Sequence, residues 1–260
     1  MYEFDEDTQV FELGEDRYRG EVTARWNVGP VPNGGYLLAI GLAAMGRSLA
    51  APDPLTVTVH FLKPARIGEI IIDVERVKLG RTFSTVMAKM SQGGVETARL
   101  LSTWGDLAAA TGPTRMDATP PELPRLDRPP PAQIEPPIEL ARRFEQRLAP
   151  ETLGFLEGKT TERAELRGWS RFADGRPPDV RSLALFADAF PPPVLNWSMV
   201  GWVPTLELTV HFRARPRPGF LGCAFRTRFL IGGFLEEDGE LWDESGALVA
   251  ESRQLALLPR

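Results

Sequence analysis

The sequence predicts an α+β fold made of two tandem copies of one unit, each an antiparallel sheet wrapped around a central helix. Three observations support this prediction. The phrase TVHF occurs at residues 58–61 and again at 209–212, an offset of 209 − 58 = 151 residues. A helical apolar segment precedes each copy, and extended segments separated by glycine turns follow it. A tandem duplication explains the repetition.

The first copy begins with a predicted strand, RGEVTARWNV. The helical segment NGGYLLAIGLAAMGRSL comes next, with apolar residues at three- and four-residue spacings. After TVHF, β-branched residues and glycine turns predict three strands in the segments EIIIDVERVKLG, RTFSTVMAKMSQGG and VETARLLSTW.

The second copy repeats this order. ERAELRGWSRF predicts the opening strand, and DVRSLALFADAF predicts the central helix. The strands that follow TVHF are predicted in LGCAFRTRFLIGG, FLEEDGELWDESG and ALVAESRQLALL.

Between the copies, closely spaced prolines at residues 110–137 rule out a continuous helix or strand, because proline fixes φ and lacks the backbone N–H donor. IELARRFEQRLAP, which comes next, has the spacing of a short helix. We therefore predict an N-terminal unit at residues 1–106, a proline-rich linker with a short helix at 107–162, and a C-terminal unit at 163–260.

Composition and charge exclude several classes of function. The net charge is −5 and the isoelectric point is about 5.3, which disfavours nucleic acid as a partner. One cysteine and two histidines are too few for the usual structural zinc site, so we expect no metal and no cofactor. The acidic N-terminus is unlike an export signal, and the longest apolar stretch is too short for a membrane span. We expect a cytoplasmic protein.

This order of elements in both halves resembles the hotdog fold in its fused, double form, and within it the acyl-CoA thioesterase II family. The resemblance covers residues 18–106 and 163–258 and implies hydrolysis of an acyl thioester, such as an acyl-CoA, to a free acid and a thiol. The double hotdog fold also implies a homodimer or a higher homo-oligomer.

The duplication singles out one acid. Aligned by the offset of 151, Asp188 falls opposite the apolar Leu37, and an unpaired carboxylate on an apolar helix is costly to bury. In the family that the chain resembles, an Asp of the second helix acts with a Thr of the next strand and a Gln of the last. Asp188, Thr205 and Gln254 match these positions. The resemblance implies that Asp188 is a base for water, oriented by Thr205 and Gln254.

The segment PNGG opens the first central helix and is the predicted substrate-binding element. Backbone N–H groups at a helix N-terminus are unpaired and attract negative charge, so Asn33, Gly34 and Gly35 are candidates for an oxyanion site. The alternative is that Asn33 only caps the helix and the glycines only relieve packing. Tyr36 stands where the resembled family commonly has Gln, and we include it among the substrate-contacting residues.

Two other sets of residues define the rival functions. His60 and His211 occupy equivalent positions in both copies, which favours a structural role; an enoyl-CoA hydratase or dehydratase would need one of them in the same cavity as Asp188. A non-catalytic acyl-thioester binding protein is the second rival. Five arginines are candidates for coenzyme A phosphate contacts or for a solvated strand edge: Arg213, Arg215, Arg217, Arg226 and Arg228.

Overall fold

The structure is a computed structural model that describes residues 1–127, 138–198 and 202–258. Part of the predicted linker, residues 128–137, lies outside the described residues. The same holds for residues 199–201 and 259–260 of the predicted C-terminal unit.

The first half follows the predicted order of strand, central helix and antiparallel strands. A short helix, α1 (Glu3–Asp7), precedes it, and the central helix is α2 (Gly34–Arg47). The strands of this half are β1 (Phe11–Gly14), β2 (Arg17–Val22), β3 (Asn27–Val28), β4 (Val31–Pro32), β5 (Asp53–Phe61), β6 (Gly68–Lys78), β7 (Ser84–Gln92) and β8 (Val95–Gly105).

The second half repeats the order with a much shorter central helix, α3 (Leu183–Phe186). Its strands are β9 (Phe144–Leu148), β10 (Ala164–Phe172), β11 (Thr205–Phe212), β12 (Leu221–Thr227), β13 (Leu230–Ile231), β14 (Phe234–Asp243) and β15 (Leu248–Leu257). Single 3-10 turns lie at Ala24–Trp26, Leu107–Ala109, Leu140–Arg143, Pro150–Thr152, Gly154–Glu157 and Pro193–Asn196.

Within the described ranges, all strands except β3 and β4 form one antiparallel sheet of 13 strands. Its order is β1-β2-β6-β7-β8-β5-β11-β15-β14-β12-β10-β9, and β13 pairs with β14. Because α2 lies in the concave side of this sheet, residues from Gly35 to Met45 are buried on every face of the helix. The prediction of antiparallel sheets wrapped around central helices is confirmed.

The repeated phrase lies where the two halves join. β5 pairs with β11, and Thr58 pairs with Thr209, its equivalent at an offset of 151. The two hydroxyl oxygens are 2.8 Å apart, within hydrogen-bonding distance. The sheet is therefore continuous across a local two-fold relation, which places the N-terminus of α2 beside α3.

Two predicted helices differ from the structure. The second central helix spans four residues instead of twelve, because Pro177 and Pro178 precede this segment and three prolines follow it from Pro191. Asp188 consequently lies two residues beyond α3. The predicted short helix at 138–150 is a 3-10 turn followed by β9, an edge strand paired with β10. Its buried Phe144 joins the aromatic core instead of a helix face.

Candidate active site

A cavity of about 490 Å³ lies between the two halves. The first half contributes the N-terminus of α2 and the end of β5, and the second half contributes the segment after α3 and the inner face of β11, β14 and β15. Its polar side chains include Asn33, Asp188, Thr205, Glu237 and Gln254. Apolar side chains such as Leu37, Phe61, Phe190 and Leu235 make up most of the remaining wall.

Asp188 of the second half is hydrogen-bonded to the first half. Its Oδ2 accepts hydrogen bonds from the Gly35 backbone N–H and from the Asn33 side-chain amide, each at 2.8 Å. The same Asn33 amide donates to the Asp188 backbone carbonyl at 2.7 Å. The Oδ1 atom has no hydrogen-bond partner among residues 1–127, 138–198 and 202–258, so one carboxylate oxygen is fixed and the other stays available.

Burial sets the acidity of this carboxyl group. Desolvation raises the pKa of Asp188 to about 6, and the hydrogen bonds from Gly35 and Asn33 partly oppose that rise. At neutral pH the group is mostly ionised yet more basic than an exposed aspartate. This is the range in which a carboxylate is useful as a general base.

The glycine pair permits the close approach of α2 to α3. A Cβ atom on Gly35 would lie 2.6 Å from the Ala184 carbonyl oxygen and 2.9 Å from the Asp188 Cβ. A Cβ on Gly34 would lie 2.7 Å from the Phe61 ring. Both glycines are therefore needed to bring the helix N-terminus to the carboxylate.

Thr205 and Gln254 belong to a second polar chain in the cavity wall. The Thr205 hydroxyl donates to Gln254 Oε1 at 2.6 Å, and Gln254 Nε2 donates to Glu237 Oε1 at 2.8 Å. β15 pairs with both β11 and β14, and Gln254 is directly opposite Glu237 in that register. Both the oxygen and the nitrogen of the Gln254 amide are thus hydrogen-bonded, and the second hydrogen of Nε2 remains free to donate.

Glu237 was not among the site residues predicted from the sequence, which assigned FLEEDGELWDESG to a strand without a functional role. The side chain is only 5% exposed. Burial and the nearby charge of Asp188 raise the pKa of Glu237 to about 8, while its bond from Gln254 opposes the rise. The alternation of side chains along a strand could have identified Glu237 as buried. The buried face of β14 consists of Leu235, Glu237, Gly239 and Leu241.

Asp188, Thr205 and Gln254 all line the same cavity, as do Asn33 and Gly34. Two details differ from the expectation. Within the described ranges, Asp188 makes no hydrogen bond to Thr205 or Gln254, because α2 supplies its partners. The Gly35 N–H is bonded to Asp188 and is therefore not a free oxyanion donor.

Tyr36 does not contact the cavity, which corrects the prediction that it binds substrate. Its ring is fully buried and stacks on Trp26, with centroids 5.6 Å apart. Its hydroxyl accepts a hydrogen bond from the Thr23 N–H at 3.2 Å and lies 2.9 Å from the Asp7 carbonyl oxygen. Burial raises the pKa of Tyr36 to about 12. The residue belongs to the aromatic core, since its side chain points away from the helix N-terminus.

The remaining candidates lie elsewhere. His60 and His211 are exposed on the sheet face opposite the central helices. None of the five candidate arginines lines the cavity, and Arg215 and Arg228 are paired with Asp53 and Asp238. In the described part of the chain, no cluster of three or more His, Cys, Asp or Glu side chains could hold a metal ion. Nor does any helix there have the length and apolarity to cross a membrane.

Comparison with known proteins decides the family. The profile of the acyl-CoA thioesterase N-terminal domain matches residues 22–105, and that of the C-terminal domain matches residues 118–258. The chain belongs to the acyl-CoA thioesterase domain family. This membership gives it a thioesterase-type function and agrees with the family that the sequence resembles.

Solved structures and a curated relative support the same fold. A provisionally assigned thioesterase II from Thermobifida fusca is 30% identical, with a TM-score of 0.92 over 100% of this chain and 98% of that one. A hot dog protein of unknown function from Alicyclobacillus acidocaldarius is 25% identical, with a TM-score of 0.90 over 100% and 99%. An uncharacterised Mycobacterium tuberculosis protein is 25% identical over 93% of this chain and 91% of its own.

Proposed function

We propose that the protein hydrolyses an acyl-CoA, with a water molecule activated by Asp188 as the nucleophile. The observation that carries this proposal is the partly buried carboxylate of Asp188, which has one oxygen fixed by two donors and the other unpartnered among the described residues. An apolar cavity of about 490 Å³ at that carboxylate suits an acyl chain.

In the proposed reaction, Asp188 Oδ1 accepts a proton from water while the water oxygen attacks the thioester carbonyl carbon. The tetrahedral intermediate then collapses, the C–S bond breaks, and Asp188 returns the proton to the departing sulfur. A carboxylic acid and a thiol are released. Water supplies both the hydroxyl and the proton, so the step needs no cofactor and no covalent intermediate.

Gln254 is the proposed donor to the developing negative charge on the carbonyl oxygen. Thr205 and Glu237 hold its amide, which leaves one Nε2 hydrogen free to donate. A preorganised donor of this kind typically contributes about 3 kcal/mol to transition-state stabilisation. Glu237 acts as a positioning residue in this scheme, since it fixes Gln254 and does not need to touch the substrate.

The positions of the histidines disfavour the hydratase alternative. That reaction would require His60 or His211 beside Asp188, and both are exposed on the other face of the sheet. A binding protein without turnover is the remaining rival, and it needs no base with a raised pKa such as that of Asp188.

Thiol release from acyl-CoAs of increasing chain length tests the proposal. The same preparation is also assayed for hydration of an enoyl-CoA. We expect thiol release from at least one chain length and no hydration. Binding of acyl-CoA without thiol release would replace hydrolysis by the binding function, and hydration would replace it by the hydratase.

A further inference from the structure

A second cavity, of about 410 Å³, lies at the other end of α2. It is the counterpart of the first cavity under the duplication, because the offset of 151 relates lining residues of one to lining residues of the other. Examples are Val28 and Asp179, Pro64 and Arg215, and Thr205 and Pro54. The duplication thus produced two related cavities, and we call this one the sister cavity.

The sister cavity has lost the proposed chemistry. At the position equivalent to Thr205 this cavity has Pro54, which carries no hydroxyl. The equivalent of Asp188 is Leu37, which carries no general base and lies in the wall of the first cavity. Its lining residues instead include three arginines, Arg47, Arg181 and Arg215. The change from an acidic to a basic lining favours an anion over a neutral thioester.

Two of the lining arginines, Arg47 and Arg181, have no close carboxylate partner among the described residues. Arg47 is exposed and has no ion pair within the described parts of the chain. Among the described residues, the ion pair of Arg181 is a long one, 3.4 Å to Asp5, and its guanidinium lies 5.4 Å from the centroid of the Phe4 ring.

The acids in the lining are already occupied. Asp53 binds Arg215 at 2.9 Å, and Asp179 binds Arg176 at 2.6 Å. Both carboxylates are therefore hydrogen-bonded to other arginines, and Asp179 also acts on Arg181 through its charge. The unmet donors suit a ligand with a carboxylate. The remaining wall is apolar and includes Leu42, Ala43, Pro54 and Val180, which suits an alkyl chain.

We propose that the sister cavity binds a linear alkyl carboxylate, with Arg47 and Arg181 contacting the carboxylate group and the apolar wall contacting the chain. The choice of an alkyl carboxylate rests on the proposed function, because such an acid is what thioester hydrolysis releases. The basic lining and its unmet donors do not depend on that function. Binding here is separate from binding in the acyl cavity.

The test is calorimetric titration of the wild-type protein with decanoate, followed by the same titration of Arg47→Gln and Arg181→Gln. We expect two decanoate sites in the wild type. Both substitutions should weaken decanoate binding at the same site, each by about tenfold, as expected for losing a hydrogen bond to a charged group. Binding at the other site should be unchanged. Arg163→Gln, which removes an exposed arginine that does not line this cavity, is the matched control.

Decan-1-ol separates recognition of the carboxylate from burial of the chain. It should not compete for the site that Arg47→Gln weakens. A single decanoate site that both substitutions leave unchanged would overturn the proposal, and so would equal binding of the alcohol. Arg47 is exposed, so Arg47→Gln decides the question even if Arg181→Gln fails to fold. Because the titration requires no turnover, failure of thioester hydrolysis would leave its result interpretable.

Discussion

Asp188 Oδ2 and the backbone nitrogen of Gly35 lie 2.8 Å apart, so the acid of the second half is hydrogen-bonded to the central helix of the first. The N-terminus of a helix favours negative charge, and this contact keeps a partly buried carboxylate ionisable. The proposed base therefore requires both halves of the duplicated chain.

Gly35→Ala tests that dependence. The added Cβ would lie 2.6 Å from the Ala184 carbonyl oxygen, so α2 and α3 must separate. We expect about 1–3 kcal/mol of destabilisation and about a hundredfold loss of thioester hydrolysis from displacement of Asp188. Thermal unfolding and thiol release measure the two effects. Gly112→Ala is the control, since its Cβ would meet no atom within 4 Å. Full activity in Gly35→Ala would argue against this role of the helix contact.

The rate of hydrolysis should depend on pH in two steps. Asp188 must lose its proton to act as a base, so kcat/KM is expected to rise as the pH passes about 6. Ionisation of Glu237 places a second negative charge in the cavity, so kcat/KM should fall above about pH 8. Glu237→Gln keeps a side chain of the same shape and should lose the alkaline fall. A wild-type profile that is flat from pH 5 to 9 would contradict the assignment.

Glu237 should also make folding stability depend on pH. Its pKa is about 8 in the folded protein against an ordinary 4.5, so the folded state binds the extra proton between these values. The free energy of unfolding should therefore fall as the pH rises from about 4.5 to about 8. Glu237→Gln should be closest to the wild type at pH 4 and clearly more stable than it at pH 9. Urea unfolding at both pH values measures this. If the free energies of unfolding of the variant and the wild type differed by the same amount at pH 4 and pH 9, Glu237 would not be a buried acid that is protonated in the folded state.

Tyr36→Phe separates a core role from a substrate role. Removing the hydroxyl leaves the Thr23 N–H and the Asp7 carbonyl without a partner, at a cost of about 1–3 kcal/mol. We expect a lower Tm and unchanged chain-length preference in thiol release. Leu37→Ala is the matched comparison in the cavity wall and should change that preference. A shifted preference in Tyr36→Phe with an unchanged Tm would restore the substrate-binding interpretation.

Sequence alone could predict the duplication because TVHF is repeated at a strand that pairs with its own copy, through Thr58 and Thr209. It could also single out Asp188, since an acid opposite Leu37 breaks the symmetry. The catalytic role of Asp188, like the roles of Thr205 and Gln254, stays a prediction until the variants are measured.

Other features depend on tertiary contacts that no local pattern encodes. The partner of Asp188 lies 153 residues away, in another unit. Glu237 is hidden in a run of acids, and only the burial phase of β14 distinguishes it. Tyr36 follows the glycine pair, but its side chain lies in the core, where it stacks on Trp26 and accepts a hydrogen bond from the Thr23 N–H. The length of α3 is limited by prolines on both sides.

The most direct test of Asp188 as the base is the rate of thiol release by Asp188→Asn at pH 7.5, on the acyl-CoA that the wild type hydrolyses best. The matched control is Asp243→Asn, which alters a buried aspartate at the end of β14, outside the cavity. We predict that Asp188→Asn lowers kcat by about a hundredfold or more, while Asp243→Asn affects stability without a comparable loss. Activity within a few-fold of the wild type in folded Asp188→Asn would contradict the account.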